Sequence, residues 1–185
     1  YMSGIVDQSD NVHLGGYPGP LRKMCGIWAE EIDALAPEQT NVLKFTDGTQ
    51  AKCNLLCDII RLEGAEVVAN YGEDFYADSP AVTKNTFGKG TVYYVGTQPE
   101  ACALDKILDM VAAGAGVERL IDEDTPLEIT KRVKDGNEFW FILNLTGKPQ
   151  QAPKAFAGET DILTGDKIGE AELKPFDALI VKRTK

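Results

Sequence analysis

The residues here that could do chemistry are carboxylates and thiols. Acidic side chains come in two runs, Glu30, Glu31 and Asp33, then Glu73, Asp74 and Asp78. Two carboxyl groups about 5 to 9 Å apart can break a glycosidic bond, one as acid and one as base or nucleophile. Such a pair must be aimed by a scaffold. Glu30 and Glu31 are adjacent, so along a strand they point to opposite faces. Glu73 and Asp74 fall in a glycine-containing loop, Tyr71 to Asp78. The expectation is solvated or turn-forming carboxylates and no catalytic residue.

Cys25 is a second candidate, as a nucleophile. That role needs a sharp strand-to-helix turn with small neighbours and a histidine base. The flanks are Lys23-Met24 and Gly26-Ile27-Trp28, and the one histidine is His13. Cys25 is therefore read as a structural thiol. Cys53 and Cys57 have neither a second cysteine pair nor histidine partners, and a zinc ion takes about four ligands. Cys25, Cys53, Cys57 and Cys102 are read together as buried free thiols. No metal or cofactor is expected.

Three further patterns are weighed the same way. Gly15-Gly16-Tyr17-Pro18-Gly19-Pro20 is glycine-rich but lacks the phosphate-loop order, and its prolines remove donor amides. It reads as a rigid turn that could fix one subunit against another. Phe139-Trp140-Phe141 could stack on sugar rings, but alternation puts Trp140 on the face opposite its neighbours. Core packing is the reading there. Asn144-Leu145-Thr146 fits a glycosylation signal yet ends a strand-like run, and is taken as a chance match.

The elements that must position these residues fall into two kinds. Asn41 to Phe45 and Gln50 to Ile60 flank Asp47-Gly48, a strong hairpin signal. Ala65 to Asn70 is a further strand. Ala81 to Phe87 and Thr91 to Val95 flank Gly88-Lys89-Gly90, a second hairpin. Leu21 to Cys25 reads as a short helix after Pro20. Thr97 and Glu100 form a T-x-x-E capping box with Pro99 in the first turn. A helix follows, with Leu104, Ile107, Leu108 and Val111 on its apolar face and Gly114 and Gly116 as its stop. Strand, turn and amphipathic helix make the repeating unit of an α/β domain.

Beyond a polar linker over 118–126, closed by Pro126, the chain reads as strands. These are Leu127 to Lys134, Glu138 to Leu145, Thr160 to Leu163 and Asp177 to Arg183, with turns at Asp135-Gly136-Asn137 and Thr164-Gly165-Asp166. A small antiparallel β-sandwich is the expectation. The domains are residues 1–120 and 121–185.

A chain of 185 residues is too short for a β/α barrel, which needs about 250. Its net charge is −10, with the densest basic cluster at Lys182, Arg183 and Lys185. Phosphate backbones need clustered cations, so nucleic acid is not an expected partner. There is no signal-peptide pattern and no apolar run of about 18 residues, so no membrane partner is expected either.

Four passages carry a family resemblance: Ser3 to Leu35, Leu62 to Val67, Tyr71 to Tyr76 and Gly88 to Thr97. In order and spacing they resemble the bacterial family-42 β-galactosidases. The likeness spans nearly the whole chain and is strongest over 3–115. It implies a bacterial cytoplasmic enzyme with a catalytic barrel, absent from this chain, that hydrolyses terminal β-D-galactosyl residues. It implies a trimerisation domain, a truncated flavodoxin-like α/β domain like that of class I glutamine amidotransferases, and then the C-terminal β-sandwich. The first strand and helix of that α/β domain are expected to be missing. On this reading the chain is a non-catalytic oligomerisation and structural region, inactive alone. Its partners are other copies of itself, and the β-galactoside reaches only the barrel. The competing reading is a carbohydrate-binding accessory module.

Overall fold

The computed structural model describes residues 1–169 and 172–184. Lys185 of the basic cluster lies outside them. The chain divides into two compact units, Tyr1–Val117 and Glu118–Lys185.

In the first unit an irregular segment leads into a helical turn at Gly19–Leu21 and the short helix α1, Arg22–Cys25. Gly26 ends α1 at φ +65°, the left-handed conformation that suits glycine. Its missing side chain also leaves room for Asn85, whose amide donates to Met24 O at 2.8 Å.

Strands then follow: β1 (Ile27–Ala34), β2 (Asn41–Phe45), β3 (Gln50–Leu62), β4 (Glu66–Tyr71), β5 (Pro80–Phe87), β6 (Gly90–Val95) and β7 (Thr97–Pro99). They form one sheet in the order β1-β3-β2-β4-β5-β6, with β7 also on β3. Asp47-Gly48 and Gly88-Lys89 turn the two expected hairpins, with Gly90 already in β6.

The sheet path also returns on itself. Asp58 N, midway along β3, donates to Gly96 O at 2.7 Å, and Gly96 N donates to Ala81 O at 2.9 Å. A side chain on Gly96 would meet Ile60 Cδ1 at 2.9 Å and Ala81 O at 3.1 Å, so glycine lets the strands approach here without displacing either. Tyr71, fully buried, donates its hydroxyl to Gly96 O at 2.9 Å.

Helix α2, Ala101–Gly114, covers part of this sheet. Ala103, Ile107, Met110 and Val111 pack on Leu43, Cys53, Cys57, Ala69 and Val82. Burying aliphatic groups of this size contributes about 1.5 to 3 kcal/mol each.

Several expectations are corrected here. Every pairing in the sheet is antiparallel. The first unit is thus mainly antiparallel sheet with few helices, and a flavodoxin-like layer is not seen among the described residues. The capping box does not form. Thr97 pairs with Cys57 as part of β7, while the Glu100 carboxylate accepts Lys52 N at 2.7 Å. Tertiary pairing outbid the local cap. Leu104 and Leu108 face solvent rather than the core, because α2 is rolled onto its alanine and isoleucine side.

In the second unit β8 (Glu128–Lys134), β9 (Asn137–Leu143), β10 (Gln150–Gln151), β11 (Glu172–Leu173) and β12 (Ala178–Thr184) make two antiparallel sheets. One has the order β12-β9-β8 and the other pairs β10 with β11. Trp140, Ile142, Phe156, Ile168, Leu173 and Val181 fill the space between them. Trp140 and Phe156 meet edge-on at 5.6 Å. Thr160 to Leu163 is not a strand. Thr160 and Asp161 make single bridges before the chain turns.

Candidate functional site

Four of the six acidic side chains, Glu30, Asp33, Asp74 and Asp78, have local partners. A β-bulge between Ala29 and Glu31 breaks the alternation of β1, so Glu30 and Glu31 are both exposed. Glu30 accepts Arg61 Nε at 2.7 Å. Asp33 accepts the Tyr76 hydroxyl at 2.7 Å, Asp74 caps Phe75 N at 2.7 Å, and Asp78 lies 3.8 Å from Lys44. Glu73 contributes its amide to Asn41 Oδ1 at 3.1 Å. Glu30, Glu31, Arg61, Phe75 and Tyr76 do meet along a surface groove of about 470 Å³.

Three of the four thiols are buried. Cys25 is buried in the small cluster of Ile27, Ile60, Ala65 and Tyr94. Burial pushes its pKa up, away from the thiolate that would attack. His13 lies against Gly19. Cys53 and Cys57 are buried under α2, and the Cys57 sulfur is 3.8 Å from the Thr97 hydroxyl. Cys102 departs from the expected burial. It is exposed at the start of α2. Among the described residues no three metal-binding side chains gather.

Trp140 is buried, while Phe139 and Phe141 are half-buried, as β-strand alternation requires. Lys182 sits 5.9 Å over Phe139. Asn144 is fully buried. Its amide donates to Lys148 O, Leu173 O and Lys174 O at 2.8, 3.1 and 2.8 Å. A glycan has no access to that nitrogen in the folded chain.

What sequence reasoning missed is a buried carboxylate. Asp58 is fully buried in β3 and accepts the hydroxyls of Tyr17 at 2.7 Å and Tyr94 at 2.6 Å. Burial raises its pKa against the lowering effect of both tyrosines. The tyrosines are pushed up in turn by burial and by Asp58. A carboxylate inside Leu55-Leu56-Cys57-Asp58-Ile59-Ile60 was the available signal, since an acid in an apolar strand needs partners.

This cluster ties the Gly15 to Pro20 turn to the sheet. Tyr17 O also accepts Ala29 N at 2.9 Å, and Arg22 Nη1 donates to Gly15 O at 2.9 Å while its guanidinium stands 5.3 Å over Trp28. The second surface loop, Tyr71 to Asp78, carries Phe75, which is 75% exposed and edge-on to Tyr76 at 4.9 Å. The arrangement offers a partly apolar surface held by hydrogen bonds to the sheet.

Comparison with known proteins gives the family. Residues 1–118 match the β-galactosidase trimerisation domain, and 127–183 match the β-galactosidase C-terminal domain. Among curated relatives, LacA of Lactobacillus acidophilus is 42% identical over 183 residues, covering 98% of this chain and 27% of that protein. BgaA of Planococcus sp. (strain 'SOS Orange') is 45% identical over 189 residues, covering 99% and 28%. Both are β-galactosidases, and the chain spans just over a quarter of their length. The solved β-galactosidase of Bacillus circulans sp. alkalophilus superposes with a TM-score of 0.83 at 38% identity, over 100% of this chain and 28% of that one. A GH42 β-galactosidase from G. stearothermophilus gives 0.81 at 29%, over 100% and 27%. The chain therefore belongs to the family-42 β-galactosidases, of which it carries the trimerisation and C-terminal domains.

Proposed function

We propose that this chain is the non-catalytic, oligomer-forming and structural region of a β-galactosidase acting on terminal β-D-galactosyl residues. The observation that carries the reading is the match of residues 1–118 to a trimerisation domain in a chain spanning about 27% of its relatives. The acidic side chains support it. Each candidate carboxylate with a partner is engaged in an ion pair, a cap or a tyrosine hydrogen bond.

The galactosidase chemistry belongs to a barrel encoded outside these residues, and the assembly is a homotrimer in the cytoplasm. Residues 1–120 and 121–185 act as separate folding units, joined over 118–126.

The test uses the purified chain beside the full-length polypeptide that contains it. The full-length protein is expected to hydrolyse a chromogenic β-galactoside and to sediment as a trimer, and the chain alone is expected to show no turnover. Turnover by the chain that Glu30→Gln abolishes overturns the reading. The accessory-module alternative draws on the shared face of Phe139 and Phe141. It predicts specific binding on a glycan array, where the structural reading predicts none.

A further inference from the structure

Strand β3 changes partner at its middle, and the change brings two cysteines together. Up to Cys53 it pairs with β2, and from Leu56 onward with β1. β7 pairs across the change. Pro99 stands opposite Cys53, Gln98 opposite Asn54 and Thr97 opposite Cys57. A single step along β7, from Gln98 to Thr97, therefore matches the whole run from Asn54 to Cys57. Leu55 and Leu56 are the surplus, and Leu55 takes φ +69°, a left-handed conformation unfavourable for leucine.

In an unbroken strand Cys53 and Cys57 would stand about 13 Å apart. Here they face residues two apart on β7, which puts their Cα atoms about 6 to 7 Å apart. A disulfide usually spans a Cα separation of about 4.4 to 6.8 Å. Both side chains are fully buried in the core beneath α2. They are not equivalent there. The Cys57 sulfur is 3.8 Å from the Thr97 hydroxyl. Cys53 holds the Cys57 thiol below its ordinary value, aided by the hydroxyls of Tyr76, Thr97 and Tyr71 and opposed by burial. Cys57 and burial push Cys53 the other way. A single buried cysteine is a small apolar filler. Two within bonding reach, one favouring the thiolate and the other the thiol, form an attacking and a resolving pair.

We propose that Cys53 and Cys57 are a modification site, a dithiol that reduces hydrogen peroxide and closes to a disulfide across the bend of β3. The Cys57 thiolate attacks one peroxide oxygen and the O–O bond breaks. The leaving hydroxide takes up the proton that Cys57 had released, giving water and a sulfenic acid on Cys57. The Cys53 sulfur then attacks the Cys57 sulfur. The S–O bond breaks, and the departing hydroxide takes the Cys53 thiol proton as a second water. The dithiol gives up two electrons and the peroxide accepts them. The new bond ties the part of β3 on β2 to the part on β1. A thiol reductant reopens it by exchange.

The experiment uses the full-length polypeptide that carries these residues, with Cys102→Ser to remove the exposed thiol. The folded protein is treated with hydrogen peroxide, then unfolded, alkylated and cut with trypsin for mass spectrometry. Trypsin cuts after Lys52 and Arg61, so both sulfurs fall in one peptide, 53–61. That peptide is expected to escape alkylation and to weigh about 2 Da less than the dithiol form, and dithiothreitol is expected to restore it. This readout needs no substitution in the core. Two variants then test the order of attack, with dimedone present as a sulfenic-acid trap. Cys53→Ala is expected to carry the label on Cys57, and Cys57→Ala to carry none on Cys53. A peptide 53–61 that stays a dithiol, or that gains oxygen without closing, overturns the proposal. Dimedone on Cys53 in the Cys57→Ala variant overturns the assigned roles.

Discussion

Asn144→Ala should come close to unfolding the second unit. The residue is fully buried, with its amide shared among three carbonyls. Its own oxygen accepts Thr146 N at 3.0 Å and the Thr146 hydroxyl at 2.7 Å. One side chain thus holds the exit from β9 against the segment between β11 and β12. Each such bond contributes about 1 kcal/mol net, and a buried carbonyl left unpaired costs about 1 to 3 kcal/mol. Leu173 O is the most enclosed of the three, whereas water can reach Lys148 O and Lys174 O once the amide is gone. The total is about 3 to 4 kcal/mol. A unit of this size has roughly 3 to 10 kcal/mol of stability in all. Asn144→Asp sharpens the test, because it keeps the shape and replaces donors with a charge facing three carbonyl oxygens. Its folded pKa must lie above the ordinary carboxylate value of about 4. Its penalty is therefore full at neutral pH and is relieved as the pH falls toward that value. The assay is urea unfolding followed by Trp140 fluorescence in a Trp28→Phe background, since the chain has two tryptophans, one in each unit. A loss under about 1 kcal/mol for the alanine variant, or a pH-independent loss for the aspartate variant, refutes the reasoning.

Three other outcomes follow from the packing. Ile107→Ala should cost about 2 to 5 kcal/mol, while Leu108→Ser on the outer side of α2 should stay within about 0.5 kcal/mol, both read by chemical denaturation. Thr83→Val should be neutral or stabilising, because the Thr83 hydroxyl is buried without a partner; a loss above about 1 kcal/mol would show a hidden one. Asp161 titrates with the opposite sign to Asp58. Burial would raise its pKa, but the amides of Ile180 and Leu163 and the Thr164 hydroxyl outweigh that and hold it below the ordinary value. Its contribution is present above about pH 4 and lost as the pH falls through the depressed value, so Asp161→Asn should flatten the acid limb of second-unit stability.

What the sequence reveals here depends on how far apart the deciding residues lie. Asp47-Gly48 and Asp135-Gly136 specify their hairpins because a short turn is a local affair; the first sits in a three-residue loop from Thr46 to Gly48 and the second is a two-residue turn, and both occur where expected. Helix α2 is legible as a helix but not in its start or its orientation. Thr97 would cap it in isolation, yet β3 lies alongside and recruits Thr97 into β7. Its heptad of aliphatics is ambiguous for the same reason. Leu104 and Ile107 look equivalent in sequence, and only the position of the sheet decides that one is core and the other solvent-facing. Antiparallel pairing is likewise invisible in an isolated strand, since a run such as Ala65 to Asn70 suits either kind of neighbour.

The buried Asp58 shows where the limit falls. Its partners Tyr17 and Tyr94 are separated from it by 41 and 36 positions, so no window of sequence contains the cluster. The oddity of an acid in an apolar run is visible, but the answer to it is not.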